Sequence, residues 1–249
     1  MKKSIFFSVI IILFFSCKKE TNQSNTKLRL KLKCGYSTYI DSNFREGAKF
    51  LLITEIIEQG TSHSNNNNPY IDSNDINTIL STLQKIYDLN TPESDTVFNF
   101  YSIRVFRTNS LNSLSIHVNP NATEVKHLIL NEPTGNTTLD NIINTYQFNK
   151  VDTSLYYSTY SHFIALNSDL ELNLIPIINA LNPLPFFESV EYNAFGAGDG
   201  NKITMIRNAN EIVLDFSYGY GDCPSGCIYR RHWVFKVDEN CNASFVKRY

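Results

Sequence analysis

The chain contains no H-E-x-x-H and no G-x-S-x-G. The first absence removes the zinc-protease helix, the second the nucleophile elbow of serine hydrolases. Its histidines, His63, His117, His127, His162 and His232, are scattered. Charge of either sign is in short supply: 22 Lys and Arg against 24 Asp and Glu leave a formal net charge of -2. That balance offers no electrostatic footprint for nucleic acid or an anionic surface. No hydrophobic run beyond the N-terminus is long enough to span a bilayer, and no internal repeat is visible. Glycine is sparse, and six of the 10 fall between Gly196 and Gly226.

The partial motifs fail one by one, and no cofactor is implied. Gly196 to Asn201 begins as G-x-G but lacks the third glycine and leads into a strand-like run. It reads as a turn into a hairpin, not as a phosphate cradle. Asp199 and Asn201 could give oxygens to calcium, but the EF-hand pattern is missing. Cys223, Cys227, His232 and Cys241 fit no common zinc finger spacing. Cys-Pro-Ser-Gly-Cys has one residue too many for a thioredoxin motif, with no helix pattern after it to activate a thiol.

What is present is an address. Lys2 and Lys3 precede the apolar run Ile5 to Phe15, and small Ser16 stands just before Cys17. This is the three-part anatomy of an export signal, too short for a permanent span. Leu13 to Cys17 resembles a bacterial lipobox, with bulky Phe14 and Phe15 departing from its tightest form. The resemblance implies cleavage after residue 16 and lipidation of Cys17. Residues 17–26 are polar and aperiodic, and read as a tether. Loss of Lys2 and Lys3 takes the formal charge from -2 to -4. With Cys17 lipidated, Cys34, Cys223, Cys227 and Cys241 remain, and an even number in an oxidising compartment reads as two disulfides.

Lys27 to Cys34 alternates Leu and Cys with Lys and Arg, the period of a half-buried strand with a solvated basic face. Lys49 to Ile57 is an apolar run, strand or short helix. Gly60 to Pro69 reads as a loop, with His63 solvated. Asp75 to Tyr87 carries Ile76, Ile79, Leu80, Leu83 and Ile86 at helical spacing, with Ser73 or Asn74 as cap. Strands are expected over Val97 to Arg107 and Leu114 to Val118, with a turn at Asn109 to Asn112. Helices follow at Leu139 to Tyr146, capped by Thr138, and at Leu174 to Leu181, with Pro176 in the first turn. Strands follow at His162 to Leu166 and Ser189 to Phe195. The order from Leu114 is similar to a ferredoxin-like half of the kind used by protease propeptides.

Glu211 to Tyr218 places Ile212, Leu214, Phe216 and Tyr218 on one face. Trp233, Phe235 and Val237 mark a second strand. Between them, Gly219 to Arg231 reads as an elaborated hairpin tip in which Cys223 and Cys227 can staple a Pro-Ser-Gly turn. Cys34 and Cys241 are then left to pair, placing the first mature strand beside the last. The tip gathers Asp222, Tyr229, Arg230 and Arg231, with His232 at the strand start, as candidate binding residues. The run Tyr218 to Val237, with its G-x-G-D-C-P-x-G-C-I core, resembles a C-terminal segment of uncharacterised Bacteroidota lipoproteins. That resemblance implies compartment and lineage, and no activity.

The expected fold is α+β: antiparallel strands with about three helices, ending in a β-hairpin with a disulfide-stapled loop. After the signal peptide 1–16 and the tether, residues 27–249 form one domain or two subdomains, 27–110 and 111–249. The expected role is a non-enzymatic binding or structural lipoprotein of the cell envelope. Its anchor is the N-terminal lipid, in the outer membrane on the periplasmic or surface face. A glycan or an envelope protein is the expected ligand class. An envelope hydrolase with dispersed acid and base, and a protease inhibitor or propeptide-like module, are the rivals.

Overall fold

Ile40, Phe44, Ala48, Leu52 and Ile56 recur every four residues, and burying that stripe makes one long helix, α1 (Thr38–Gln59). The undecided apolar run at 49–57 is its second half. The computed structural model describes residues 29–107, 109–153, 162–194 and 198–249. Ser37 caps α1 by accepting the Ile40 N–H, and Gly60 ends it at a positive φ of 53°. Next come α2 (Ser73–Tyr87) and α3 (Pro92–Asp95). The cap of α2 is Asp72, which accepts the Asn74 N–H, so the helix starts earlier than the expected Ser73 or Asn74 cap. At α3 a capping box between Thr91 and Ser94 starts a helix that runs into a π turn, Thr96–Phe100. The expected strand at 97–107 is therefore helical first and irregular afterwards. Val97 and Phe98 are both buried while Asn99 and Phe100 are both exposed, which is not a strand's alternation.

The middle of the chain runs β1 (Asn109–Val118), α4 (Thr123–Ile129), α5 (Thr137–Thr145), β2 (Lys150–Asp152), β3 (Phe163–Asn167), α6 (Ile175–Leu181) and β4 (Phe187–Ala194). The expected turn at 109–112 lies inside β1. Ser110 Oγ donates to Asn112 Oδ1 and accepts the Asn112 N–H, and the β1–β4 register shifts between Asn109 and Leu114. Turn-forming side chains here make a bulge. Asn136, not Thr138, caps α5. The strands pair antiparallel in the order β2-β3-β1-β4. With helices in both crossovers, this is the split βαβ arrangement of ferredoxin-like sheets. The strand β2 and helix α4 were not read from the sequence.

The last quarter is a meander, β5 (Lys202–Arg207), β6 (Glu211–Tyr220), β7 (Tyr229–Asp238) and β8 (Ala243–Arg248), in the order β5-β6-β7-β8. The class is thus α+β with two antiparallel sheets, and with six α-helices among the described residues instead of three.

Two cores form. One holds Leu114, Ile116, Ile164, Leu166 and Val190 of the first sheet under Val125, Leu139 and Ile177 of its helices. The other packs Ile40 to Ile56 and Ile76 to Ile86 on Ile203, Leu214, Phe216, Trp233 and Phe235 of the meander. Chain 32–111 therefore shares a core with 203–237, and the middle segment folds on its own sheet. A cut at 110 does not follow these cores.

The expected N-terminal strand is not one in its described part. Residues 29–37 keep the alternation, with Leu32 buried and Lys31 and Lys33 exposed, but join no ladder; Leu30 N–H donates once, to Asn208 O at 3.3 Å. Residues 27 and 28, like Cys17, lie outside the described residues. Cys34 pairs with Cys241 and Cys223 with Cys227, at Cα separations of 6.1 Å and 3.9 Å. The longer bridge ties an irregular segment to the β7–β8 turn and not strand to strand. Closing a loop of this separation is worth about 5 kcal/mol in the chain-entropy account, against about 2 kcal/mol for the short one.

Candidate functional site

Tyr220 and Tyr229 face each other across the β6–β7 ladder, and Gly219 faces Arg230. The true tip is therefore 221–228, shorter than the expected 219–231. Tyr229, Arg230, Arg231 and His232 belong to β7. Strand alternation then sends them to opposite faces.

Tyr229 and Arg231 share the face of Phe216, Tyr218, Tyr220 and Trp233. Near the helices this face is core: Phe216 is 0% exposed and Trp233 3%. Beyond the helices it opens, to 37% at Tyr220 and 58% at Tyr229. The rings are continuous along this gradient. Tyr101, just after the π turn, stacks on Tyr218 at 4.1 Å between centroids and leans on Trp233 at 5.6 Å. Tyr218 stacks on Tyr220 at 6.0 Å and Tyr220 on Tyr229 at 5.3 Å. Phe100, 76% exposed, stands edge-on to Tyr101. The Arg231 guanidinium lies over the Tyr220 ring at 5.7 Å. The result is a ladder of rings anchored in the core at one end and bare at the other.

The staple sets the ladder's outer end. A Cβ on Gly219 would lie 2.5 Å from the Cys227 sulfur, so only glycine lets the stapled loop fold back on β6. Gly221, with φ at 94°, turns the chain out of the strand. Asp222 is exposed at the tip, and its carboxylate has no ion partner among the described residues.

The opposite face is taken up internally. Arg230 reaches Asp199 at 2.5 Å and donates to Ser217 Oγ at 3.0 Å. Lys202 meets the same carboxylate at 2.7 Å. Asp199 also accepts the N–H groups of Gly200 and Cys227 and donates its own to Cys223 O. Bonds from Lys202 and Arg230 hold its carboxyl far below the usual carboxylate range. Arg230 is thus a strut between the staple and the 198–201 turn. His232 Nδ1 lies 3.0 Å from Asp215 Oδ2, and its ring is parallel to Tyr249 at 4.5 Å. Tyr249 Oη donates to the same carboxylate at 3.2 Å. Of the five candidate residues, the fold brings Tyr229 and Arg231 together, leaves Asp222 at the tip, and turns Arg230 and His232 away. Sequence reading missed Phe100 and Tyr101. Their signal was the aromatic cluster Phe98-Asn99-Phe100-Tyr101 shortly after the Thr91-Pro92 helix start.

A second cluster of charge is sealed inside. Arg29 meets Glu55 at 2.7 Å and Asp75 at 3.2 Å; Arg207 meets Asp75 at 2.7 Å and Glu55 at 3.2 Å. Arg29 was expected on a solvated face and His63 in solvent. Instead the Arg29 side chain is 8% exposed and His63 is 2% exposed. His63 Nδ1 accepts the Asn65 N–H, which leaves the proton on Nε2. Burial, with Arg29 adding to it, pushes the His63 pKa down to about 4, so the ring is neutral at pH 7. Asp75 is pulled up by burial, but Arg207 and Arg29 outweigh that and hold it below its ordinary value. The cluster clamps the N-terminal segment, both long helices and β5. Among the described residues no group of side chains could hold a metal ion.

A cavity of about 210 Å³ between α1 and β5 has Glu55 and Glu58 in its wall, but Glu55 is committed to the two arginines. Among the described residues no helix is long and apolar enough to cross a membrane. No protein-family model, no curated protein and no solved structure matches the chain.

Proposed function

We propose that the chain is an exported lipoprotein of the cell envelope, held by a lipid on Cys17. On this reading the Tyr101–Tyr218–Tyr220–Tyr229 ladder binds a saccharide. The observation that carries the binding role is the exposure gradient along a continuous ring stack. A buried ladder would be packing alone. Here the outer rings stay bare while the inner ones are fixed by the core, so the platform is ordered before a ligand arrives and little ordering entropy is lost on contact. Tyrosine faces suit the C–H faces of sugar rings, with hydroxyls at the rim to hydrogen-bond. Unstacked bases would use such rings too, but a formal net charge of -2 gives no footprint for a phosphate backbone. The N-terminal signal and the C-terminal resemblance to Bacteroidota lipoproteins support the address alone.

The hydrolase alternative has one observation in its favour, the Asp215–His232 pair. That pair sits on the open face of the meander, stacked against Tyr249, and the nearby Ser217 hydroxyl accepts from Arg230. Among the described residues no hydroxyl or thiol hydrogen-bonds the His232 ring, whose Nδ1 is held by Asp215, so binding is the better account.

Two experiments test the two halves. Cys17→Ser is expected to move the protein from the membrane fraction to the soluble one, and an unchanged membrane fraction contradicts the anchor. The detergent-solubilised mature protein is expected to retain envelope glycans on an affinity matrix. Replacing Tyr220 and Tyr229 together by Ala is expected to abolish that retention, and full retention by the variant contradicts the platform.

A further inference from the structure

The platform is bordered by arginines that reach no carboxylate among the described residues. The chain has eight arginines: Arg29, Arg45, Arg104, Arg107, Arg207, Arg230, Arg231 and Arg248. Five reach a carboxylate: Arg29, Arg45, Arg107, Arg207 and Arg230. Among the described residues Arg104, Arg231 and Arg248 reach none. Arg104 lies over the Phe44 ring and donates to the Ile103 carbonyl, so its place is in the core wall. Arg231 and Arg248 are both exposed, and both belong to the platform's face. Arg231 faces Tyr218, and Arg248 faces Trp233. Residues directly opposite in an antiparallel pair share a face, so Arg248 emerges beside Trp233. Arg231, two residues before Trp233 on β7, is its diagonal neighbour at roughly 7–8 Å between Cα atoms.

The Arg231 guanidinium leans toward β6 and Arg248 stands on β8, so each exposes its own fork of donors on this face. A carboxylate brought to the Arg231 fork would accept bidentate hydrogen bonds there. The Arg231 guanidinium already lies over Tyr220. A sugar ring stacked on Tyr220 or Tyr229 would therefore present its substituents to that edge. We infer that the platform takes an acidic saccharide, a uronate-containing chain whose carboxylate sits at the Arg231 fork, with Arg248 adding positive charge on the same face, while its ring stacks on Tyr220 and Tyr229. This rests on the platform reading given above and adds the ligand's charge to it. Asp222 is the carboxylate at the tip, and its charge opposes such a ligand.

The test is calorimetric titration of the detergent-solubilised full-length mature protein with an oligogalacturonate, and in parallel with its fully methyl-esterified form. The acid form is expected to bind at least about tenfold more tightly, the scale of one charge-assisted bidentate contact. Arg231→Ala is expected to lose about that factor with an unchanged melting temperature. Arg231→Lys, which keeps charge but not the fork, should fall between. Asp222→Asn should tighten binding, and added salt should weaken the acid form alone. Equal affinity for acid and ester, with both abolished by Tyr220→Ala and Tyr229→Ala, overturns the acidic ligand and leaves the platform standing. Absence of acid-form binding overturns the acidic ligand as well. The platform is then judged on the neutral glycans of the affinity matrix.

Discussion

Arg207 and Asp75 meet at 2.7 Å with side chains 0% and 1% exposed, 132 residues apart in sequence. They join β5 to the first turn of α2, inside a cluster whose two arginines and two carboxylates cancel. Removing one member strands a buried charge, which costs far more than the intact pair contributes. Arg207→Met alone is expected to destabilise the fold by about 3–5 kcal/mol in denaturant titration. Arg207→Met with Asp75→Leu should recover part of that loss; a double variant worse than the sum of the single ones would contradict the account.

The same cluster predicts a loss of stability in mild acid. The folded pKa of His63 is about 4, against an ordinary value of 6.5. Below 6.5 the unfolded chain takes up a proton that the folded one refuses, so stability falls as pH drops from 6.5 to about 4. The loss is roughly 3 kcal/mol over that window. Asp75 acts lower still: its folded value is depressed, so its stabilisation is present above the ordinary carboxylate range and is lost as pH falls through the folded value. His63→Gln should flatten the slope between pH 6.5 and 4, measured as unfolding free energy against pH. An unchanged slope would place the acid sensitivity elsewhere.

The two disulfides should differ in their effects. Replacing Cys34 and Cys241 together by Ser is expected to cost up to about 5 kcal/mol, because the loop they close is long. Replacing Cys223 and Cys227 should cost about 2 kcal/mol or less, and should weaken ligand binding by loosening the outer end of the ladder. Melting temperatures and ligand titration on both variants check this. An equal loss of stability from the two pairs would contradict it.

Much of the frame was legible, and the reasons for the misses are physical. The helix at 73–87 and the hairpin strands announce themselves by period. The disulfide pairing followed from the expectation of export and from local spacing. The stretch 29–34 misled because alternation records which side chains are buried, and an unladdered extended segment packed on helices buries alternate residues as a strand does. The internal charges hid in plain positions: Asp75 suits a helix start on electrostatic grounds alone. One signal was available. Arg207 continues the inward series Ile203, Met205 on β5, and a charge at an inward position calls for a buried partner. The candidate site was legible as a region. Its division into a ring face and an ion-paired face depended on where the ladder ends, which the glycines at 219 and 221 obscure.

The division between those two faces is the central claim, and Trp233 reports on it. It is the single tryptophan, buried at the root of the ladder against Tyr101. Its fluorescence should be followed during titration with the retained glycan in three proteins: wild type, Tyr220→Ala with Tyr229→Ala, and Arg230→Ala with His232→Ala. The account predicts a saturable change in the wild type and in the Arg230/His232 variant, and none in the tyrosine variant. Loss of the response in the Arg230/His232 variant at an unchanged melting temperature, with the tyrosine variant still responding, would contradict it.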